Sequence, residues 1–172
     1  MTRFAKLPPS ALDRDGFLAR YGGVYEHSPW IAAAVWDKGA AMDEAETLAG
    51  AMAAEVEAAG EAARLALLCA HPDLAGKLAV RGELTADSTS EQAGAGLDQC
   101  SEAEFAEFQR LNDAYKARFG FPFILAVKGY DRAGILAAFR RRAGNDRATE
   151  FREALDQVHR IARLRLQALA RE

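Results

Sequence analysis

Cysteine is scarce in this chain: Cys69 and Cys100 are the only two among 172 residues. They stand far apart and show no metal-type spacing, which argues against a disulfide framework or a zinc site and for a reducing compartment. No apolar run approaches the roughly 20 residues of a membrane span. No alternating, β-branched strand pattern occurs either. The one strand candidate covers residues 123–127, and a single short strand makes no sheet. Positive charge is not in excess: Lys and Arg number 22 against 25 Asp and Glu, a formal net charge of -3. Nucleic acid is therefore not expected as a partner, because phosphate binding needs a concentrated basic face. The late arginines, from Arg132 to Arg165, have acids among them and read mostly as a solvated helix face. A phosphate-cradling glycine loop and a dinucleotide fingerprint are both missing, so any chemistry is expected to need no cofactor and no metal. The first residues hold no apolar signal segment, and Ala170-Arg171-Glu172 is no peroxisomal address, so a cytoplasmic location is expected.

What is there is helix. The length suits one domain with a real core, and the reading is all-α: a single compact multi-helix domain over residues 1–172. Ser10 is a candidate cap for a helix carrying Leu12, Phe17, Leu18 and Tyr21, stopped at Gly22-Gly23. Ser28-Pro29-Trp30 offers a second start, with Pro at the first helical position. Residues 43–59 are rich in Ala, Glu, Leu and Met, all good helix formers, and residues 61–70 continue the pattern. Pro72 breaks it, and residues 73–80 read as another short helix ending near Gly82. Residues 82–100 are the least regular. Ser101 and Glu104 form a capping box ahead of Phe105, Phe108, Leu111, Asn112 and Tyr115, and Gly120 closes that helix. Asp131 caps a helix through Ile135, Leu136 and Phe139. The last helix starts at Asn145 or Asp146 and carries Phe151, Leu155, Val158, Ile161, Ala162, Arg165 and Leu169 at helical spacing.

A few residues could carry chemistry, and each has a plainer reading. His71 stands at the expected start of the 72–80 helix, whose positive dipole end would keep the ring neutral and ready to accept a proton. Alternatively it caps that helix or packs as a half-buried histidine. Ser88-Thr89-Ser90-Glu91 fits a capping box in which Glu91 reaches back to the Ser88 amide. The same helix start would also suit a small carboxylate, with Glu91 and Gln92 on its polar edge. The segment Phe123, Ile124, Leu125, Ala126 and Val127 is either plain core or a pocket wall. Gly120 and Pro122 keep it from being helix interior, so its backbone polar groups need partners, and a flat heterocycle rich in amides is one. Arg165 lies on the apolar side of the last helix and needs an anion, either a structural carboxylate or a substrate carboxylate. Cys69 near His71 allows a thiol–imidazole pair, but its run, Leu67-Leu68-Cys69-Ala70, suits a small buried hydrophobe. His27 is not singled out, and His159 is expected to be exposed.

Four blocks together resemble one family. They are residues 22–30 (Gly-Gly-Val-Tyr-Glu-His-Ser-Pro-Trp), His71-Pro72-Asp73-Leu74-Ala75, residues 88–97 from Ser88 to Leu97, and the stretch from Leu111-Asn112 to Phe119-Gly120-Phe121-Pro122-Phe123. In this order they are similar to 2-oxo-4-hydroxy-4-carboxy-5-ureidoimidazoline (OHCU) decarboxylases. Arg118 stands where many members carry Lys. The resemblance implies an all-helical, cofactor-free and usually dimeric carboxy-lyase acting on a small molecule in the last step of urate breakdown to (S)-allantoin. It implies His71 and Glu91 as the catalytic pair. Pro72, Ser88, Thr89, Ser90, Glu91, Gln92, Phe123, Ile124, Leu125, Ala126 and Val127 would line the site, and Arg165 would bind substrate. The competing readings are a non-catalytic helical interaction module and, more weakly, a thiol-dependent redox enzyme using Cys69 and His71.

Overall fold

The computed structural model describes residues 2–39 and 42–172, with the backbone alone at Leu78. Among them it holds nine α-helices, two short 3-10 turns and no strand, so the all-α expectation is met. The helices are α1 (Arg14–Tyr21), α2 (Trp30–Asp37), α3 (Ala45–Ala58), α4 (Glu61–Cys69), α5 (Lys77–Val80), α6 (Ala86–Gly94), α7 (Glu102–Phe119), α8 (Arg132–Ala143) and α9 (Arg147–Ala170). None is long and apolar enough to cross a membrane among the described residues. By contact the chain resolves into two compact units, Met1–Ala70 with Val158–Glu172, and His71–Gln157.

The first unit buries Phe17, Tyr21, Ile31, Val35, Leu48, Met52 and Val56 from α1 to α3, with Val158, Ala162 and Leu166 from the end of α9. Phe17 contacts Tyr21 and Trp36, both at 5.1 Å between ring centroids. Two caps here differ from expectation. Asp13, not Ser10, caps α1 by accepting from the Gly16 amide at 2.8 Å. Ser10 instead gives its amide and hydroxyl to Asp43, 33 residues away. These bonds hold the Asp43 carboxyl below its usual range. Ser28 does not cap α2 either, because its hydroxyl donates to the Glu26 carbonyl. Local cap signals lost to a distant carboxylate in one case and to a tight turn in the other.

His159 is half-buried rather than exposed, with Nδ1 2.8 Å from the Tyr25 hydroxyl and Nε2 2.9 Å from Glu57. Burial pushes the Tyr25 phenol up, and the Glu57 charge adds to it, so Tyr25 stays a neutral donor to the ring. Cys69, expected as a small core residue, is exposed at the end of α4.

The second unit follows the sequence more closely. Ser101 and Glu104 make the expected capping box at α7, Gly120 closes α7 in the left-handed region at φ 80°, and Asp131 caps α8. Asp146 accepts from the Thr149 amide at 2.7 Å at the start of α9. Its core is aromatic: Tyr115 packs against Phe119, Phe121, Phe123 and Phe139, and Phe123 stacks on Phe139 at 3.9 Å.

Two of the late arginines, Arg142 and Arg165, are not solvated. Arg142, 1% exposed, pairs with the fully buried Glu150, and its guanidinium stands 4.4 Å from the Phe123 ring centroid. Glu150 also accepts from the Tyr115 hydroxyl and from Asn145 Nδ2 at 3.0 Å. Burial pushes the Glu150 carboxyl up, but the bonds from Arg142, Tyr115 and Asn145 outweigh it and hold it below its ordinary 4.5. A carboxyl depressed on folding contributes stability above its unfolded pKa, and that contribution is lost as pH falls through the folded value. Removing one partner of a buried pair costs roughly 3–5 kcal/mol. Glu150→Leu should therefore lose about that much at pH 7 in urea unfolding. The gap to the native protein should narrow in acid, and a gap that does not change with pH would contradict this account.

Candidate active site

His71, 8% exposed, follows α4 directly and opens a loop over residues 71–76. The expected helix from Pro72 is not formed: only α5, four residues long, follows from Lys77, so the positive helix end expected at His71 is absent. The loop contains Ala75 in the left-handed region at φ 49°, which costs a non-glycine residue roughly 1–2 kcal/mol. At Gly76 a Cβ would stand 2.7 Å from the Asp73 Cβ, so this turn requires glycine.

The loop's strained backbone is held by side chains of two helices. Gln92 on α6 accepts from the Ala75 amide at 3.0 Å and donates to the Asp73 carbonyl at 3.2 Å. Asn112 and Gln109 on α7 donate to the Leu74 and Ala75 carbonyls at 2.9 and 2.7 Å. Lys116 reaches the Asp73 carboxylate at 2.6 Å. Gln109, Asn112 and Lys116 fall three and four residues apart, one face of a helix. Sequence reasoning placed Asn112 with the core residues and did not single out Gln109 or Lys116. The polar spacing itself was the available signal.

α6 starts at Ala86 with Thr85 as cap, and the Thr85 hydroxyl accepts from the Ser88 amide at 3.2 Å. The capping box proposed for Ser88 and Glu91 is therefore not the one formed, and Glu91 stands well inside the helix. Ser88 and Gln92 are buried, Glu91 is half-buried, and Thr89 and Ser90 are exposed. Thr89 gives its hydroxyl to the Thr85 carbonyl. Gln92 thus ties the helix that carries Glu91 to the loop that carries His71. Pro72, next to His71, is half-buried.

Residues 123–127 are buried throughout and form neither helix nor strand. Arg142 Nη1 donates to the Ile124 carbonyl at 2.6 Å, Gln157 Oε1 accepts from the Ala126 amide at 2.9 Å, and the Val127 carbonyl accepts from Tyr130. The amides of Ile124, Leu125 and Val127 hydrogen-bond to no group among the described residues. Buried backbone donors of this kind need a partner, so the segment is suited to hold a ligand. The Phe123 ring, in contrast, is core.

Arg165 belongs to the first unit. It is 6% exposed, and Nη1 donates to Glu26 Oε2 at 2.8 Å and to the Val24 carbonyl at 3.3 Å. The anion expected for it is thus supplied by a structural carboxylate. A groove of about 610 Å³ lies beside α6, bounded by Ala75, Val80, Leu84, Leu97 and Phe105. Thr89 and Gln92 line it, while His71, Glu91 and residues 123–127 do not. No group of three or more His, Cys, Asp or Glu among the described residues is arranged to hold a metal ion.

Gln92→Leu leaves the Ala75 amide and Asp73 carbonyl without partners, at about 1–3 kcal/mol for each. Urea unfolding should show a loss within that range or above it. A loss under about 0.5 kcal/mol would mean the loop is held by something else.

The family model for OHCU decarboxylase matches residues 10–167. A 2-oxo-4-hydroxy-4-carboxy-5-ureidoimidazoline decarboxylase of Haloferax volcanii is 46% identical over 155 residues, covering 90% of this chain and 89% of that one. Its namesake in Halalkalicoccus jeotgali is 41% identical over 169 residues, 98% and 93% of the two chains. The crystal structure of an (S)-allantoin synthase superposes with a TM-score of 0.73 at 34% identity, covering 92% of this chain and 51% of that one. On the match of the family model and of these relatives, the chain belongs to the OHCU decarboxylase family.

Proposed function

We propose that this protein decarboxylates 2-oxo-4-hydroxy-4-carboxy-5-ureidoimidazoline to (S)-allantoin, the last step of urate degradation, with no cofactor. The observation that carries the reading is a buried histidine on a strained loop held by α6 and α7, in a chain of this family. The reacting carbon bears a hydroxyl and a carboxylate and adjoins a C=N bond. As the bond to the carboxylate breaks, its electron pair moves toward that C=N, and CO₂ leaves. His71 acts as base toward the hydroxyl or shuttles its proton, and Glu91 orients His71 or holds the ureido group. The neighbouring ring carbon then takes a proton on one face only, which makes a single enantiomer.

Ser88 and Gln92, the two buried side chains of the α6 segment, support binding, with Pro72, Thr89 and Ser90 beside them in the family pattern. The unpartnered amides among residues 123–127 present donors to the ring. Positioning and contacts that strengthen as charge moves supply most of the rate. By the family pattern Arg165 is a ligand for the substrate carboxylate, a role with which its bond to Glu26 competes. The family resemblance extends the proposal to a homodimer in the cytoplasm.

The test uses urate oxidase and hydroxyisourate hydrolase to generate the unstable substrate in a circular dichroism cuvette. Rapid growth of an optical signal of one sign, dependent on this protein, is the expected result, since spontaneous decay yields racemic allantoin. His71→Asn should lower kcat by on the order of 10²-fold or more with the helical spectrum unchanged. A flat signal from folded protein would overturn the assignment and bring the interaction module to the front. Full activity in His71→Asn would remove His71 from the chemistry.

A further inference from the structure

We propose that Gln157 is a positioning residue for ring recognition: it sets the peptide planes around Leu125 against which the substrate is held. The inference rests on reading residues 123–127 as a recognition segment. It follows from peptide geometry. The described chain has no cis peptide bond, and in a trans peptide the C=O and N–H of one unit point in opposite directions. Arg142 holds the Ile124 carbonyl, so the Leu125 N–H in the same peptide unit points away from Arg142. Gln157 holds the Ala126 N–H, so the Leu125 C=O points away from Gln157. Leu125, 5% exposed, thus offers one donor and one acceptor, neither bonded to a group among the described residues. The complementary chemistry is an amide-like N–H and C=O edge on a flat ring.

The two anchors differ in how firmly they are held. Arg142 is locked by Glu150, so its plane is part of the buried core. Gln157 is half-buried and is itself held by one bond, from Nε2 to Glu153 Oε1 at 3.0 Å. The Leu125 carbonyl is therefore the adjustable half of the edge, and the Glu153–Gln157 pair sets it. Losing that pair lets the ring tilt, which exposes both faces of the carbon that receives the proton.

The variant Gln157→Met keeps length and bulk but loses the acceptor. Its kcat should fall between about 10- and 100-fold. Allantoin made at variant concentrations matched to the native rate should lose enantiomeric purity, and the Ala126 amide should exchange hydrogen faster. The swap Glu153→Gln with Gln157→Glu restores both the acceptor and the pair on α9, and should recover rate, purity and slow Ala126 exchange. A merely structural role would lower the melting temperature of Gln157→Met and leave purity at the native value. Native kcat and purity in Gln157→Met would overturn the proposal, as would a swap variant as impaired as Gln157→Met. A native protein that yields no one-handed product would instead overturn the functional reading, and this inference with it.

Discussion

In the second unit, two largely buried stretches of the described chain lack helical hydrogen bonding, and their backbone polar groups must be met by side chains. This constraint governs the second unit. Residues 71–76 and 123–127 cannot satisfy themselves, and a buried N–H or C=O left unpaired costs about 1–3 kcal/mol. For the first stretch the answer is Gln92 from α6 with Gln109 and Asn112 from α7, while Lys116 holds the Asp73 carboxylate. For the second it is Arg142 from α8 and Gln157 from α9. Some donors of the second stretch have no partner among the described residues, and the proposed recognition of the ring rests on them.

Buried charge follows from the same constraint. Holding the Ile124 carbonyl with a guanidinium brings a cation into the core, and a buried cation needs a carboxylate and further hydrogen bonds. Glu150 supplies the first, and Tyr115 and Asn145 complete it. The aromatic cluster of Tyr115, Phe123 and Phe139 surrounds this pair, so the packing around α7 and α8 and the placement of the 123–127 segment are one arrangement. Arg165 and Glu26 make a second buried pair in the first unit, again with a backbone carbonyl, that of Val24, as third member.

Where a signal is local and has no rival, the sequence is a good guide. The Ser101–Glu104 box, the Asp131 cap and the left-handed Gly120 all form as their residue types require. Ser10 and Ser28 carry the same local signal but have better partners elsewhere, one of them 33 residues distant, which no window of sequence reveals. The reading of His71 as a helix-start residue failed because Ala75 in the left-handed region and Gly76 divert the chain before α5 begins. Arg142 was hidden in the run Arg140-Arg141-Arg142, although it falls three and seven residues after Phe139 and Ile135 on the buried side of α8. The blocks carrying His71, Glu91 and residues 123–127 were legible as a family pattern. The side chains that hold them were not, because a clamp of Gln, Asn and Lys at helical spacing looks like any solvated face.

The central claim is that His71, α6 and the 123–127 segment form one recognition site for an ureido-substituted ring. Amide and side-chain chemical shifts during titration with (S)-allantoin test it most directly. The account predicts that shifts concentrate on His71, on Ser88, Glu91 and Gln92, and on the amides of Leu125 and Val127. Shifts confined to the groove around Val80, Leu84 and Phe105, with those residues silent, would contradict it.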